Sequence, residues 1–226
     1  RTHGLATEGV LEARGLREAD LSSSTLRVPA RRLTQALGLA SALCQDPHIG
    51  LTIGQSVRPA HMGSLGYALT SCADLVDGLA QFERLQSLIC TEVHVHHRVV
   101  GDQIESHHEV IGDAPRDYPF WSFVIVSRMA VARWEAGRHL VELPCPAPAD
   151  PRPLSTYLGA PLRFDAPVAC ERAPADWLML PNPNADPHVH TVMSAMTHQQ
   201  WQQTSQEGDQ LVGQLRQHIR HSLQQG

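Results

Sequence analysis

Two alternating segments meet at Gly101-Asp102, and nothing else in the chain constrains the fold as tightly. Residues 89–100 (ICTEVHVHHRVV) and 103–111 (QIESHHEVI) both alternate with the two-residue period of a strand. Gly101-Asp102 between them has the composition of a two-residue hairpin loop. A hairpin closed there pairs each residue with the one that brings their numbers to 203. Arg98 then faces Glu105, His96 faces His107 and His94 faces Glu109 on one side of the ribbon. On the other side Val99 faces Ile104, His97 faces Ser106, Val95 faces His108 and Val93 faces Val110. One face is charged and the other mainly apolar, and a slip of one residue would scramble both.

Helices surround this hairpin. Residues 28–43 carry apolar side chains at 33, 36, 37, 40 and 43, a helical period, with Pro29 suited to the first turn. Asp46-Pro47 ends that helix. Residues 48–69 hold Gly50, Gly54, Gly63 and Gly66, which predicts short helices in close backbone contact. Ser71 is the expected cap of a helix from Cys72 to about Leu88. After the hairpin, a long helix is predicted over 118–137, and its FWSFVIV run is apolar on all sides, so it should be deeply buried. A short strand (HLVELP) and a Pro-rich loop over 144–153 come next. Further strands are expected over 162–168 and 177–180, then a loop over 182–187. A last helix over 210–224 has Val212, Leu215, Ile219 and Leu223 on one stripe. The fold class is α+β: a helical N-terminal part, then a mostly antiparallel sheet crossed by one long buried helix, then a C-terminal connector helix.

Composition removes several classes of function. The 226 residues are 42% hydrophobic and 18% charged, which excludes a disordered or low-complexity chain. No apolar run approaches the ~18 residues of a membrane span. All 18 basic groups are arginine, they are dispersed, and the net charge is −5, so the chain lacks the basic face of a free-standing nucleic-acid binder. Cys44, Cys72, Cys90, Cys145 and Cys170 lie far apart without a CxxC, which fits buried thiols in the reducing cytoplasm. The chain shows no signal peptide and opens on Arg-Thr-His-Gly, the start expected of a trimmed fragment.

Fourteen histidines offer the most chemistry. His94, His96 and His107 share the polar hairpin face, where opposed Cβ atoms lie ~5 Å apart. Three imidazoles so placed can converge on a zinc or iron ion, with Glu109 as a fourth ligand or an orienting partner. That reading makes the chain a metal-dependent enzyme or a metal sensor; the plainer reading is a solvated strand face. His97 and His108 lie on the apolar face. They are either hydrogen-bonded core residues or readers of a polar group on a small ligand, with Trp121, Phe123 and Trp134 as an apolar wall. A haem or gas site on His97 or His108 is a weaker third option. No GxSxG elbow exists, and GSLG at 63–66 lacks the lysine of a phosphate loop. No catalytic residue and no cofactor is assigned.

Four segments taken in order carry a family resemblance. They are RVPARRLTQAL (27–37), DPHIGLTIGQSVRPAHMGSLGYAL (46–69), SCADLVDGLAQFERLQSLI (71–89) and YLGAPLRFDAP (157–167). Together they resemble the N-terminal effector-binding domain, arabinose-binding-like, of AraC-type transcription regulators. The matching positions are Asp46-Pro47, Gly50-Leu51, Gly54, Gly63, Leu65-Gly66, Gly159-Ala160-Pro161 and Phe164. Ala73-Asp74 and Arg84-Leu85 depart from the family's frequent Pro-Thr and Arg-Tyr. The motifs are structural and transfer no ligand-contacting residue, and the family label assigns no ligand. QLVGQLRQHIRHSLQQG at the end resembles the connector leading to a double helix-turn-helix domain.

The resemblance implies a bacterial, cytoplasmic, non-enzymatic module. Residues 1–204 would form an effector-binding domain and 205–226 the connector toward a DNA-binding domain absent from this chain. A small organic effector would bias DNA binding; its candidate contacts stay those read from the hairpin and the buried helix themselves, His97, His108, Trp121, Phe123 and Trp134. Val212, Leu215, Ile219 and Leu223 would make a homodimer surface. DNA would be reached only through the absent domain, and no membrane is involved.

Overall fold

A computed structural model describes residues 28–112, 115–132 and 140–225, with side chains through 206. The hairpin at its centre has the register read from the sequence. β1 (Val93–Val100) runs antiparallel to β2 (Gln103–Val110), with Arg98 opposite Glu105, His96 opposite His107 and Val95 opposite His108. Gly101 takes φ +61° in the loop, a conformation glycine reaches without steric cost.

Three more strands complete a five-stranded sheet in the order β1-β2-β5-β3-β4. They are β3 (Leu140–Glu142), β4 (Leu162–Arg163) and β5 (Ala169–Pro174). Only β3 and β4 are parallel; the other neighbours are antiparallel. The strand expected over 162–168 is reduced to its first two residues. The strand expected at 177–180 is instead a 3-10 helix, Ala175–Met179, which seats Trp177 in the core. β5 lies just before it, inserted between β2 and β3.

The helical layer matches the predicted order with shifted ends. α1 (Ala30–Cys44), α2 (Ile49–Gln55), α3 (Gly63–Ser71) and α4 (Leu75–Leu85) precede the hairpin. The cap of α4 is Asp74 rather than Ser71, its carboxylate accepting from the Asp77 N–H at 2.9 Å. Ser71 closes α3 instead, its hydroxyl donating to the Tyr67 carbonyl.

α5 (Tyr118–Ala132) covers one face of the sheet, with Phe120, Trp121, Ile125 and Val126 almost fully buried. The remainder of its expected span, over 133–137, lies outside the described residues, as does Trp134. Two glycines of α2 let it press against α5. A Cβ on Gly50 would fall 1.9 Å from the Pro119 carbonyl oxygen, and one on Gly54 would fall 2.8 Å from Val126 Cβ.

α6 (Arg152–Leu158) begins inside the segment expected to be a Pro-rich loop; Pro151 sits at its cap. α7 (Pro187–Gln225) is one helix of 39 residues and starts well before the expected Gln210, running unbroken through positions 204 and 205. Among the described residues no helix is long and apolar enough to cross a membrane.

The outer edge of β1 is covered by side chains. The Gln86 amide donates to the Val95 carbonyl at 3.0 Å and its oxygen accepts the Val95 N–H at 2.6 Å. Glu83 takes the His97 N–H at 3.1 Å. An exposed strand edge invites pairing with another chain, and here two side chains from the end of α4 and the turn after it occupy that position.

Candidate functional site

The two faces of the sheet carry different chemistry. On the face away from α5, one charged residue from each strand forms an alternating row: Arg98, Glu105, Arg172, Glu142 and Arg163. Arg98 reaches Glu105 at 2.7 Å, Arg172 reaches Glu105 at 2.8 Å and also bonds Glu142, and Arg163 reaches Glu142 at 2.8 Å. His107 Nε2 adds a contact to Glu105 at 2.8 Å. This hydrogen bond, with those from Arg172 and Arg98, holds the Glu105 carboxyl down at about 2.

The three histidines proposed as metal ligands lie on this face, but each turns to a different partner. His94 Nε2 is 3.2 Å from the Thr91 carbonyl, and His96 sits between Glu83 at 3.4 Å and Glu109 at 3.6 Å. His107 is committed to Glu105. Among the described residues no group of three or more His, Cys, Asp or Glu side chains is arranged to hold a metal ion. The register brings His94, His96 and His107 onto one face, and each ring there meets a different partner.

The face under α5 holds buried polar groups. His108 is fully buried and its ring meets Trp121 edge-on, centroids 6.1 Å apart. Its Nε2 is 4.0 Å from Glu171 Oε1. Burial, reinforced by the nearby Arg128 charge, keeps the His108 pKa well below the usual imidazole range. The same two causes push His97 down to about 3; its Nδ1 is 2.9 Å from Ser106 Oγ. Glu171 is 2% exposed, and burial raises its carboxyl while Arg128 opposes the rise. Arg128 Nη2 donates to Glu171 Oε2 at 3.0 Å, and its guanidinium carbon lies 5.5 Å from the centroid of the Phe82 ring.

Arg128 also borders a cavity of about 370 Å³. Leu69, Leu75, Leu79, Val131 and Trp177 supply apolar walls, while Asp74, Arg128 and Asn182 bring polar groups. Such a lining, mostly apolar with a few directed polar groups, is the usual build of a small-molecule site. A second cavity of about 260 Å³ is bordered by His108 and Trp121. Of the residues expected to contact an effector, His108 and Trp121 thus line the smaller cavity and His97 and Phe123 line neither. The side chains of Val212, Leu215, Ile219 and Leu223 lie outside the described residues.

Sequence reasoning missed Arg128, Glu171, Phe82 and Asn182. One signal was available: Arg128 is the single charged residue of α5, and a lone charge in an apolar helix calls for a buried partner.

The end of the cavity leads into α7. Asn182 donates its side-chain amide to the carbonyls of Thr70 at 3.0 Å and Cys72 at 2.7 Å, tying the last loop to the end of α3. From there α7 packs on α3 and α4 through polar contacts. Thr197 donates to Ser64 at 2.8 Å, Ser64 to Gln200 at 2.9 Å, and Gln81 to Ser194 at 2.8 Å.

An α+β domain with an apolar cavity beside the root of a long exit helix has the build of a small-molecule-binding regulatory domain. The chain belongs to the family described as the arabinose-binding domain of AraC transcription regulators, N-terminal, whose model matches residues 4–182. Its fold is shared with the transcriptional regulator CdpR from Pseudomonas aeruginosa, at a TM-score of 0.61 and 18% identity. That likeness covers 82% of this chain and 58% of the CdpR chain, so the present chain spans less than two thirds of that regulator. No curated protein matches the sequence significantly.

Proposed function

We propose that this chain is the sensing and dimerising part of a cytoplasmic, bacterial AraC-type regulator, and not an enzyme. A small organic effector enters the 370 Å³ cavity and biases DNA binding by a helix-turn-helix domain beyond α7. The observation that carries this reading is the shared construction of cavity and exit helix. α3 and α4 wall the cavity, and the same two helices hold α7 through Ser64, Gln81 and their partners. Asn182, which borders the cavity, precedes α7 by a few residues. A ligand that favours one arrangement of α3 and α4 therefore favours one seat for α7. Coupling of this kind amounts to about 1–3 kcal/mol and requires that the ligand bind the two arrangements unequally.

The domain boundary falls near 204–205, a few residues beyond Gln200, which accepts from Ser64 of α3. The 212–223 stripe is the surface that pairs two copies.

Two measurements test the proposal. A thermal-shift screen of metabolites should yield a ligand that stabilises the wild type and leaves Leu75→Trp, in which the cavity is filled, unmoved. A screen without any such ligand refutes the cavity as effector site. For the dimer, Leu215→Asp should sediment as a monomer; a mutant sedimenting with the wild type removes that role from the stripe.

A further inference from the structure

The polar side chains that border the 370 Å³ cavity are largely engaged by the protein itself. Asn182 spends its amide on the Thr70 and Cys72 carbonyls, and its Oδ1 accepts the Asn184 N–H at 3.0 Å. The Thr70 hydroxyl donates back to the Gly66 carbonyl at 3.0 Å. Cys72 Sγ lies 3.0 Å from the Leu69 carbonyl and 3.1 Å from that of Asp74, so its one proton already has acceptors. The lining holds one charge of each sign. Asp74 caps α4, its Oδ1 accepting the Asp77 N–H at 2.9 Å, and Arg128 donates to Glu171 at 3.0 Å. Leu79 and Trp177 are buried in the same wall, 8% and 2% exposed. What the cavity offers a ligand is therefore apolar surface rather than a counter-charge.

We propose that the cavity takes an uncharged, predominantly apolar molecule, seated against Leu75, Leu79 and Trp177 and held by burial of its surface rather than by an ion pair. The proposal rests on the cavity being the effector site and adds the ligand's chemical class. A carboxylate would either sit unpaired among apolar walls or draw Arg128 away from Glu171. The second course leaves Glu171, 2% exposed, as an unpaired buried charge. An ammonium would meet the charge of Arg128 and could pair only with Asp74, the one acid of the lining, at the expense of the α4 cap. A neutral molecule gives up no charge hydration on entry and gains from each apolar wall it covers.

Matched probes on the 226-residue protein test the assignment. Fluorescence titration compares N-phenylnaphthylamine with anilinonaphthalene sulfonate, the same ring body carrying an anionic group. Calorimetry compares octanol with octanoate and octylamine. At least one of the two neutral probes should bind, and its charged counterparts should bind more weakly by roughly tenfold or more. Octanol should displace N-phenylnaphthylamine, which places both in one site without recourse to a variant. Leu75→Trp, folded by circular dichroism, should weaken the neutral probe by about tenfold or more, because the indole occupies its volume.

A charged probe that binds as tightly as its neutral counterpart overturns the proposal. So does failure of both neutral probes, or a neutral probe that Leu75→Trp leaves unaffected. If the metabolite screen finds a carboxylate or an amine that Leu75→Trp excludes, the cavity stands as effector site and only the charge assignment falls. If the neutral probes bind as expected and the screen finds no metabolite, the ligand class stands and the effector role falls.

Discussion

Gly50→Ala should destabilise the domain although alanine is the better helix former. The added Cβ would lie 1.9 Å from the Pro119 carbonyl oxygen and 2.5 Å from Ser122 Oγ, whereas ordinary contact begins at 3.4 Å. The obstacle is backbone in the first turn of α5, so no side-chain rotation relieves it. α2 and α5 must separate by about 1.5 Å, the difference between those two distances. A gap of even ~1 Å forfeits up to half of the dispersion energy across a packed interface. Overpacking of this kind costs about 1–3 kcal/mol and occasionally more, against a gain of about 1 kcal/mol in helix propensity. With the obstacle rigid, the cost lies at the upper end of that range, about 3 kcal/mol, so the net loss is about 2 kcal/mol, or roughly 4–8 °C in Tm for a domain of this size. Gly38, in the middle of α1, is the internal control, since a Cβ there meets nothing within 4 Å. Gly38→Ala should raise Tm by a few degrees, up to about 4 °C. Differential scanning calorimetry of both variants decides the matter. If Gly50→Ala melts at or above the wild type while Gly38→Ala rises, the close seating of α2 on α5 is wrong.

Gln86→Leu should cost about 2 kcal/mol or more, because it strands the Val95 N–H and carbonyl that the amide serves. Urea denaturation measures the loss, and a midpoint equal to the wild type's would mean that the β1 edge is satisfied some other way. Glu105 sets an acid-side dependence. Its carboxyl lies at about 2 when folded against 4.5 ordinarily, so its stabilising effect is complete above pH 4.5 and disappears as pH falls toward about 2. Glu105→Gln should flatten that part of the stability–pH profile; a slope identical to the wild type's would remove Glu105 as its source.

The hairpin was legible because its side chains partition cleanly: a slip of one residue would have put Arg98 or Glu105 under α5. The buried helix announced itself through an unbroken apolar run. The first half of α7 was not legible, because it docks through Thr197, Ser194 and His190 rather than through an apolar stripe, and periodicity detects only the latter. β5 was hidden for a related reason. Its Glu171 and Arg172 look like surface charges, yet one is buried against Arg128 and the other completes the row across the opposite face. The cavity is built from segments distant in the chain, between Met62 and Asn184, so no local pattern marks it.

The strand order has a consequence for how this domain is made. β5, hydrogen-bonded on both sides, is the last strand to be synthesised. The β1–β2 hairpin can close as soon as it emerges from the ribosome, but the far edge of β2 then waits for a partner that arrives only with Ala169–Pro174. Throughout that interval a nascent chain carries an unpaired strand edge, the kind of surface that templates aggregation. A chain cut short before Pro174 would keep that edge permanently open.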